Sequence, residues 1–303
     1  MNLLFLGYFK KPFDFCYVTD KMLVDSMKKI RKDEITFCDW NDVKDNLDFK
    51  NGFNSKIEKY CDKNIKEFDS SIIVEVPTPS STHVKYDKVW PIINKMASEK
   101  IRGVNPAETY VKFPDKKYYT QYSLPFPKTK IVKSSNLEEA LTEFNEEVVV
   151  KPIDGDGGYC VAKLKNKYDE VNEFLKKSNL SDKTFLIQEY LPEIKDGERS
   201  LFFFNKQFKY AMLKKPRAGE FKSNEDCVES LTRYHPNSDE IKIAKNAIRT
   251  INSPSFVERV DITSKGRIME MTLDCPGLYL VEADIDRKIG KWFYEAIDAS
   301  IKS

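Results

Sequence analysis

Val148-Val149-Val150-Lys151-Pro152-Ile153-Asp154-Gly155-Asp156-Gly157-Gly158 delivers a lysine at the end of a strand, then turns through three glycines in four positions. Glycine lets backbone N–H groups approach an anion closely, and the lysine adds a mobile positive charge. That combination suits a polyphosphate. It is neither G-x-x-x-x-G-K-[ST] nor G-x-G-x-x-G opening a helix, so the two common nucleotide motifs are absent. On its own, Asp154-Gly155-Asp156-Gly157-Gly158 is better read as a plain hairpin turn. Its neighbours along the chain decide the matter.

Upstream, strands and helices alternate. Leu3 to Tyr8, Ile35 to Cys38 and Ser71 to Val76 read as buried strands, and Lys21–Lys32, Phe53–Phe68 and Tyr86–Lys100 as helices. This spacing predicts an α/β layer with a largely parallel sheet over residues 1–112. A proline-punctuated stretch, Pro106 to Pro127, marks a domain crossing. A small α/β unit, residues 113–189, follows: strands Thr129–Val132, Glu147–Ile153, Tyr159–Leu164 and Thr184–Gln188, with helices Asn136–Phe144 and Asp169–Lys177. The remainder, 190–303, is strand-rich, with Leu201–Phe204, Phe208–Leu213, Phe256–Asp261 and Ile268–Thr272, a helix at Ser238–Thr250 and a closing one near Ile285–Ile301.

Composition narrows the function classes. The 303 residues are 41% apolar and 32% charged, with 50 basic against 48 acidic side chains. A net charge of +2 makes no case for nucleic acid or an anionic membrane. The 20 Phe, 15 Tyr and 3 Trp supply core material that a disordered chain lacks. With His83 and His235 as the only histidines, both beside turn residues, a His-rich zinc site is excluded. Cys16, Cys38, Cys61, Cys160, Cys227 and Cys275 form no C-x-x-C pair and read as reduced core thiols of a cytoplasmic protein. The opening apolar run is too short for a signal peptide or a membrane span.

Past the glycine loop, Phe185-Leu186-Ile187-Gln188-Glu189-Tyr190-Leu191-Pro192 runs into Glu193-Ile194-Lys195-Asp196-Gly197-Glu198-Arg199-Ser200. Val257-Glu258-Arg259-Val260-Asp261-Ile262 and Arg267-Ile268-Met269-Glu270-Met271-Thr272 come later. Together these stretches resemble the ATP-grasp superfamily and, within it, the prokaryotic glutathione synthetases. V-K-P-[LI]-D-G-x-G-G and Y-L-P-x-I-K-D-G-[DE] are close to that family's signatures, over about residues 105 to 295. The resemblance implies an α/β (α+β) ATP-grasp fold: an N-terminal domain, a small lid and a C-terminal domain, with ATP between the last two.

It also implies roles. Lys117, or Lys116 if the correspondence slips by one, and Lys151 would bridge ATP phosphates. Asp154, Gly155, Gly157 and Gly158 would fold over them, Gln188, Glu189, Tyr190 and Leu191 would hold adenine, and Glu198 would accept from the ribose. Lys222, Arg217 and Arg199 would serve transferred phosphate and acceptor. Asp261, Glu270 and Thr272 would hold Mg²⁺, an ion that takes hard oxygens and bridges phosphates. The chain departs from the family here. Thr272 stands where Asn or Glu is usual, with Asp274 nearby, Ser200 and Lys222 replace arginines, and Cys227-Val228 replaces paired glycines. Lys for Arg keeps the charge but loses the bidentate fork. The implied reaction is carboxylate activation by ATP to an acyl phosphate, followed by attack of an amine. The implied partners are small-molecule carboxylate and amine substrates, with a homodimer or homotetramer. A hydroxyl kinase and a nucleotide-binding protein with weakened catalysis are the alternatives.

Overall fold

A computed structural model describes residues 1–10, 14–15, 18–77, 86–155, 157–283 and 286–303. Cys16, His83, Asp156 and Ile285 lie outside them.

The first sheet has the order β6-β5-β4-β1-β7. β1 (Asn2–Gly7), β4 (Glu34–Asp39) and β7 (Ser70–Ile73) run parallel, with Phe5 opposite both Phe37 and Ile72. Leu3-Leu4-Phe5-Leu6 is continuously apolar because both faces of β1 are covered. Leu3 and Phe5 meet α1 (Val18–Lys28) and α9 (Asp286–Lys302), while Leu4 and Leu6 meet α2 (Tyr86–Ser98). Gly290 permits the close approach of α1 and α9, since a Cβ there would stand 2.6 Å from the Ser26 backbone. Phe9–Lys10 (β2) and Asp14–Phe15 (β3) form a short ribbon.

One expected helix is absent. Phe53–Phe68 instead enters a hairpin of β5 (Asp48–Asn54) and β6 (Lys59–Asn64), closed by a short turn of helix at Ile65–Glu67. The Asn54 side chain accepts from Lys56 N at 3.0 Å, and Glu58 takes a positive φ, which together reverse the chain. Phe53 and Tyr60, whose spacing mimics a helical face, meet across the strands with ring centroids 5.6 Å apart.

Short helices α3 (Ala107–Lys112) and α4 (Tyr118–Gln121) lead to the second sheet. Its strands β8 (Thr129–Val132), β9 (Glu147–Pro152), β10 (Ala162–Lys165) and β11 (Phe185–Glu189) are antiparallel in the order β10-β9-β11-β8. α5 (Leu137–Leu141) and α6 (Tyr168–Lys177) cover one face through Leu137, Val171 and Leu175, which pack on Val148, Val150 and Ile187. The third sheet is likewise antiparallel, in the order β14-β13-β12-β15-β16: β12 (Glu198–Phe204), β13 (Gln207–Pro216), β14 (Val228–Tyr234), β15 (Val257–Ile262) and β16 (Ile268–Thr272). α7 (Ser238–Ile251) packs on Leu201 and Phe203, whereas Phe202 and Phe204 face α9 and join the core of the first sheet. α8 (Leu280–Ala283) completes that junction. β14 was not foreseen, and it absorbs Val228.

Among the described cysteines only Cys38 is buried; Cys61, Cys160, Cys227 and Cys275 are half-buried free thiols, more open than expected. No helix among the described residues is long and apolar enough to cross a membrane.

Candidate functional site

Alternation along β9 and β11 builds the site. Val149, Lys151 and Gln188 face away from the α5–α6 core and line a cleft of about 400 Å³ between the second and third sheets. Lys151 Nζ donates to the Tyr119 hydroxyl at 3.1 Å and lies 4.6 Å from that ring's centroid. Burial pushes the Lys151 ammonium down to about 7, opposed by the negative charge of Glu270 and assisted by Lys116.

Across the cleft, Glu270 on β16 pairs with Lys116 Nζ at 3.0 Å, and the same ammonium donates to the Gly155 carbonyl at 2.5 Å. Burial works against the Glu270 charge, but Lys116, Lys151 and Arg259 outweigh it and hold the carboxyl down to about 2. Glu198, at the start of β12, pairs with buried Lys214 and accepts from Ser223 Oγ. Burial raises the Glu198 carboxyl, Lys214 opposes that rise, and Asp261 adds to it.

Asp261 and Glu270 are direct cross-strand partners in β15 and β16. Arg259, two residues before Asp261 and so on the same face, donates from Nε to both Asp261 oxygens at 3.0 Å. Lys214 Nζ stands 3.9 Å from Asp261 Oδ2.

A second cavity, of about 550 Å³, opens beyond this group where β7 ends, and it shares Lys116, Gly155, Glu270 and Tyr279 with the cleft. The cleft and the second cavity therefore meet at one lysine–carboxylate pair.

The prokaryotic glutathione synthetase ATP-grasp domain family matches residues 115–283. The chain belongs to this family. Among curated relatives of this ATP-grasp chain, the glutathione synthetase of Nitrosomonas europaea is 28% identical over 92 residues, 29% of each protein. That of Salmonella typhimurium is 24% identical over 135 residues, 44% of this chain and 43% of the relative. The matches thus span less than half the length of these relatives. Of solved structures, D-cycloserine synthetase DcsG superposes with a TM-score of 0.69 at 16% identity, over 98% of this chain and 100% of that one. The D-alanine–D-alanine ligase of Bacillus anthracis gives 0.65 at 17% identity, over 100% and 99%. At these identities the structures show a shared ATP-grasp fold.

Within the ATP-grasp chain the expected site residues divide. Lys151, Gly155, Gly157, Gly158, Gln188, Glu189, Tyr190, Leu191, Glu198, Lys222 and Glu270 line the cleft, Asp154 the second cavity. Of the two lysines named as alternatives, Lys116 lines the cleft. Its side chain is 17% exposed beside Glu270, whereas Lys117 is 52% exposed, pairs with Asp115 at 2.6 Å and lines neither cavity.

Arg199 is turned away. One step along β12 from Glu198, it falls on the opposite face, donating to the Gly197 carbonyl at 2.5 Å and approaching Glu240 at 3.7 Å. Arg217 is exposed in a turn closed by Glu220 N to its carbonyl at 2.9 Å, outside both cavities. Glu189 reaches the cleft with its carboxylate already engaged, accepting from Lys128 N at 2.8 Å and pairing with Arg267. Gln188 Nε2 donates to Thr129 Oγ1 at 2.8 Å.

Gly158 has φ +72°, and a Cβ there would meet Asn224 Oδ1 at 2.5 Å, so the glycine loop lies directly on the segment that carries Lys222.

Sequence reasoning missed Arg259 and Tyr119. Alternation was the available signal for Arg259, since a residue two before Asp261 shares its face.

Glu270 offers to both cavities the hard oxygens that magnesium takes, and Thr272, cross-strand from Arg259, adds a neutral one facing the second cavity, whereas Asp261 is fully buried, lines neither cavity and gives both oxygens to Arg259. Among the described residues no three His, Cys, Asp or Glu side chains converge, so the donor set is two carboxylates, each already beside a cation. Ser200, cross-strand from Asp261, is fully buried, and its hydroxyl has no partner among the described residues.

Proposed function

We propose that the chain is an ATP-dependent carboxylate–amine ligase that forms an amide through an acyl phosphate. The observation that supports this reading is the meeting of the cleft and the second cavity at Lys116 and Glu270, since a nucleotide in the cleft with its phosphates at that pair would adjoin a chamber for the substrate. The proposed division is an N-terminal domain at 1–112, a lid at 113–189 and a C-terminal domain at 190–303.

Gln188, Tyr190 and Leu191 wall the adenine, Glu198 takes the ribose, and Lys116, Lys151 and Lys222 neutralise phosphate charge. The glycine loop excludes water from the activated acid. Magnesium would be held by Asp261 and Glu270, with Thr272 as a third oxygen. When bound, it supplies positive charge to the phosphate oxygens. Holding both reactants beside one lysine–carboxylate pair is itself a large part of the rate enhancement. The glutathione synthetase relatives and the ligase-fold neighbours support a ligase over a hydroxyl kinase. A nucleotide-binding protein with weakened catalysis is the second reading, favoured by the engagement of Asp261 with Arg259.

Hydroxylamine tests the chemistry. Added with Mg-ATP and a panel of carboxylates, it should trap a hydroxamate in step with ADP release, because an acyl phosphate is electrophilic. A stable phosphorylated alcohol instead would move the chain to the kinases.

The depressed Lys151 ammonium adds a pH signature. Below about 7 it is charged in the free protein; above that, phosphate binding has to restore its proton. Mg-ADP affinity should therefore fall as pH rises from 7 to 9, by up to about tenfold per unit, with proton uptake. Calorimetry at pH 8 in buffers of different ionisation enthalpy reads that proton directly. A flat profile without buffer dependence would remove Lys151 from the phosphate site.

A further inference from the structure

We propose that the second cavity takes the apolar body of the acid that is activated, a monocarboxylate with an aliphatic or aromatic chain. This rests on the ligase reading above and deepens it. Much of the cavity wall is apolar core. Leu23, Ile72, Val104, Val257 and Phe293 line it and belong to the cluster that joins the first sheet, α1 and α9 to the third sheet. Tyr118, Ile153, Met271 and Leu273 add apolar surface from the core that α7 covers. Val281, 55% exposed, lines the same cavity and carries that surface out to solvent.

Two polar side chains set among these residues are engaged with the protein itself. Asn105 donates to the Val257 carbonyl at 2.7 Å and accepts from Val257 N at 2.9 Å, and Cys275 Sγ donates to the Val74 carbonyl at 2.7 Å. Among the described residues Lys116 is the one cation that lines the cavity, and it stands at the seam with the nucleotide cleft. A substrate carboxylate at that seam would lie beside the transferring phosphate, with its chain extending inward over the apolar wall. Each methylene taken out of water there should add about fourfold to the affinity. A second carboxylate carried inward would be buried away from any described cation, which is costly.

The test is calorimetric titration of the full chain saturated with Mg-ADP, using butanoate, hexanoate, octanoate and adipate. Affinity should rise at least about tenfold at each step from butanoate to hexanoate to octanoate. Adipate, which adds a second carboxylate to the hexanoate chain, should bind at least about tenfold more weakly than hexanoate. Leu278→Ala and Val281→Asn, both at the cavity wall, should each weaken octanoate binding several-fold and leave Mg-ADP affinity unchanged. Val281 is exposed, so its exchange does not challenge the fold. Affinity that does not rise with chain length, adipate bound as tightly as hexanoate, or octanoate affinity indifferent to both variants overturns the inference. Each of these outcomes, with Mg-ADP bound, leaves the ligase reading standing. Failure of Mg-ADP itself to bind would overturn both.

Discussion

Glu270→Gln is expected to lower ligase turnover by about 100-fold or more at ordinary Mg²⁺, because the lost charge acts directly on the transferring phosphoryl group. The substitution keeps the shape of the side chain and removes only its charge. That charge is secure in the native protein, since Lys116, Lys151 and Arg259 overcome burial and hold the carboxyl down to about 2. The glutamine cannot replace the ion pair at 3.0 Å with Lys116, which keeps its bond to the Gly155 carbonyl but loses its opposite charge. ADP release at saturating Mg-ATP measures the effect, with circular dichroism confirming the fold. Turnover within a few-fold of the parent would show that Glu270 is a structural partner of Lys116 and no more.

Lys116→Met and Lys117→Met should part company in nucleotide affinity. Lys116 reaches the Gly155 carbonyl and Glu270, at the seam of the cleft and the second cavity, whereas Lys117 points to solvent with Asp115. Removing a partly buried cation from a phosphate site costs a charge-assisted contact, so Mg-ADP affinity should fall at least about tenfold for Lys116→Met. Lys117→Met should change it less than about twofold, as expected for an exposed ion pair. Equilibrium titration of both variants decides between them. The reverse order of effects would restore Lys117 to the phosphate site.

The two lysines also show where sequence reading stops. Asp115-Lys116-Lys117 is a turn that enters α4, and turn geometry, not residue type, decides which ammonium faces inward. Lys151 was legible as the end of a strand and Asp261 with Glu270 as residues of adjacent antiparallel strands, whereas Glu198 was singled out by the family resemblance alone. The strand period of two places Arg199 on the far face of β12, and strict use of it would have set Arg199 aside and found Arg259. Along Phe53–Phe68, Phe53, Ile57, Tyr60 and Cys61 recur at near-helical intervals, a pattern that favours a helix. Asn54, Ser55 and a left-handed Glu58 turn the segment into a hairpin instead. Engagement of Asp261 by Arg259 and of Glu198 by Lys214 has no local signature at all, since each pair depends on rotamers chosen in a packed interior.

The most direct test of nucleotide binding in the cleft is the melting temperature with and without millimolar Mg-ADP, for the parent chain and for Lys151→Ala. A ligand that binds only the folded state stabilises it by mass action, by about 2.7 kcal/mol at a hundred times its Kd. A clear rise in Tm for the parent, and a much smaller one for Lys151→Ala, is the predicted result. No rise at millimolar Mg-ADP, or an equal rise in both proteins, would contradict it.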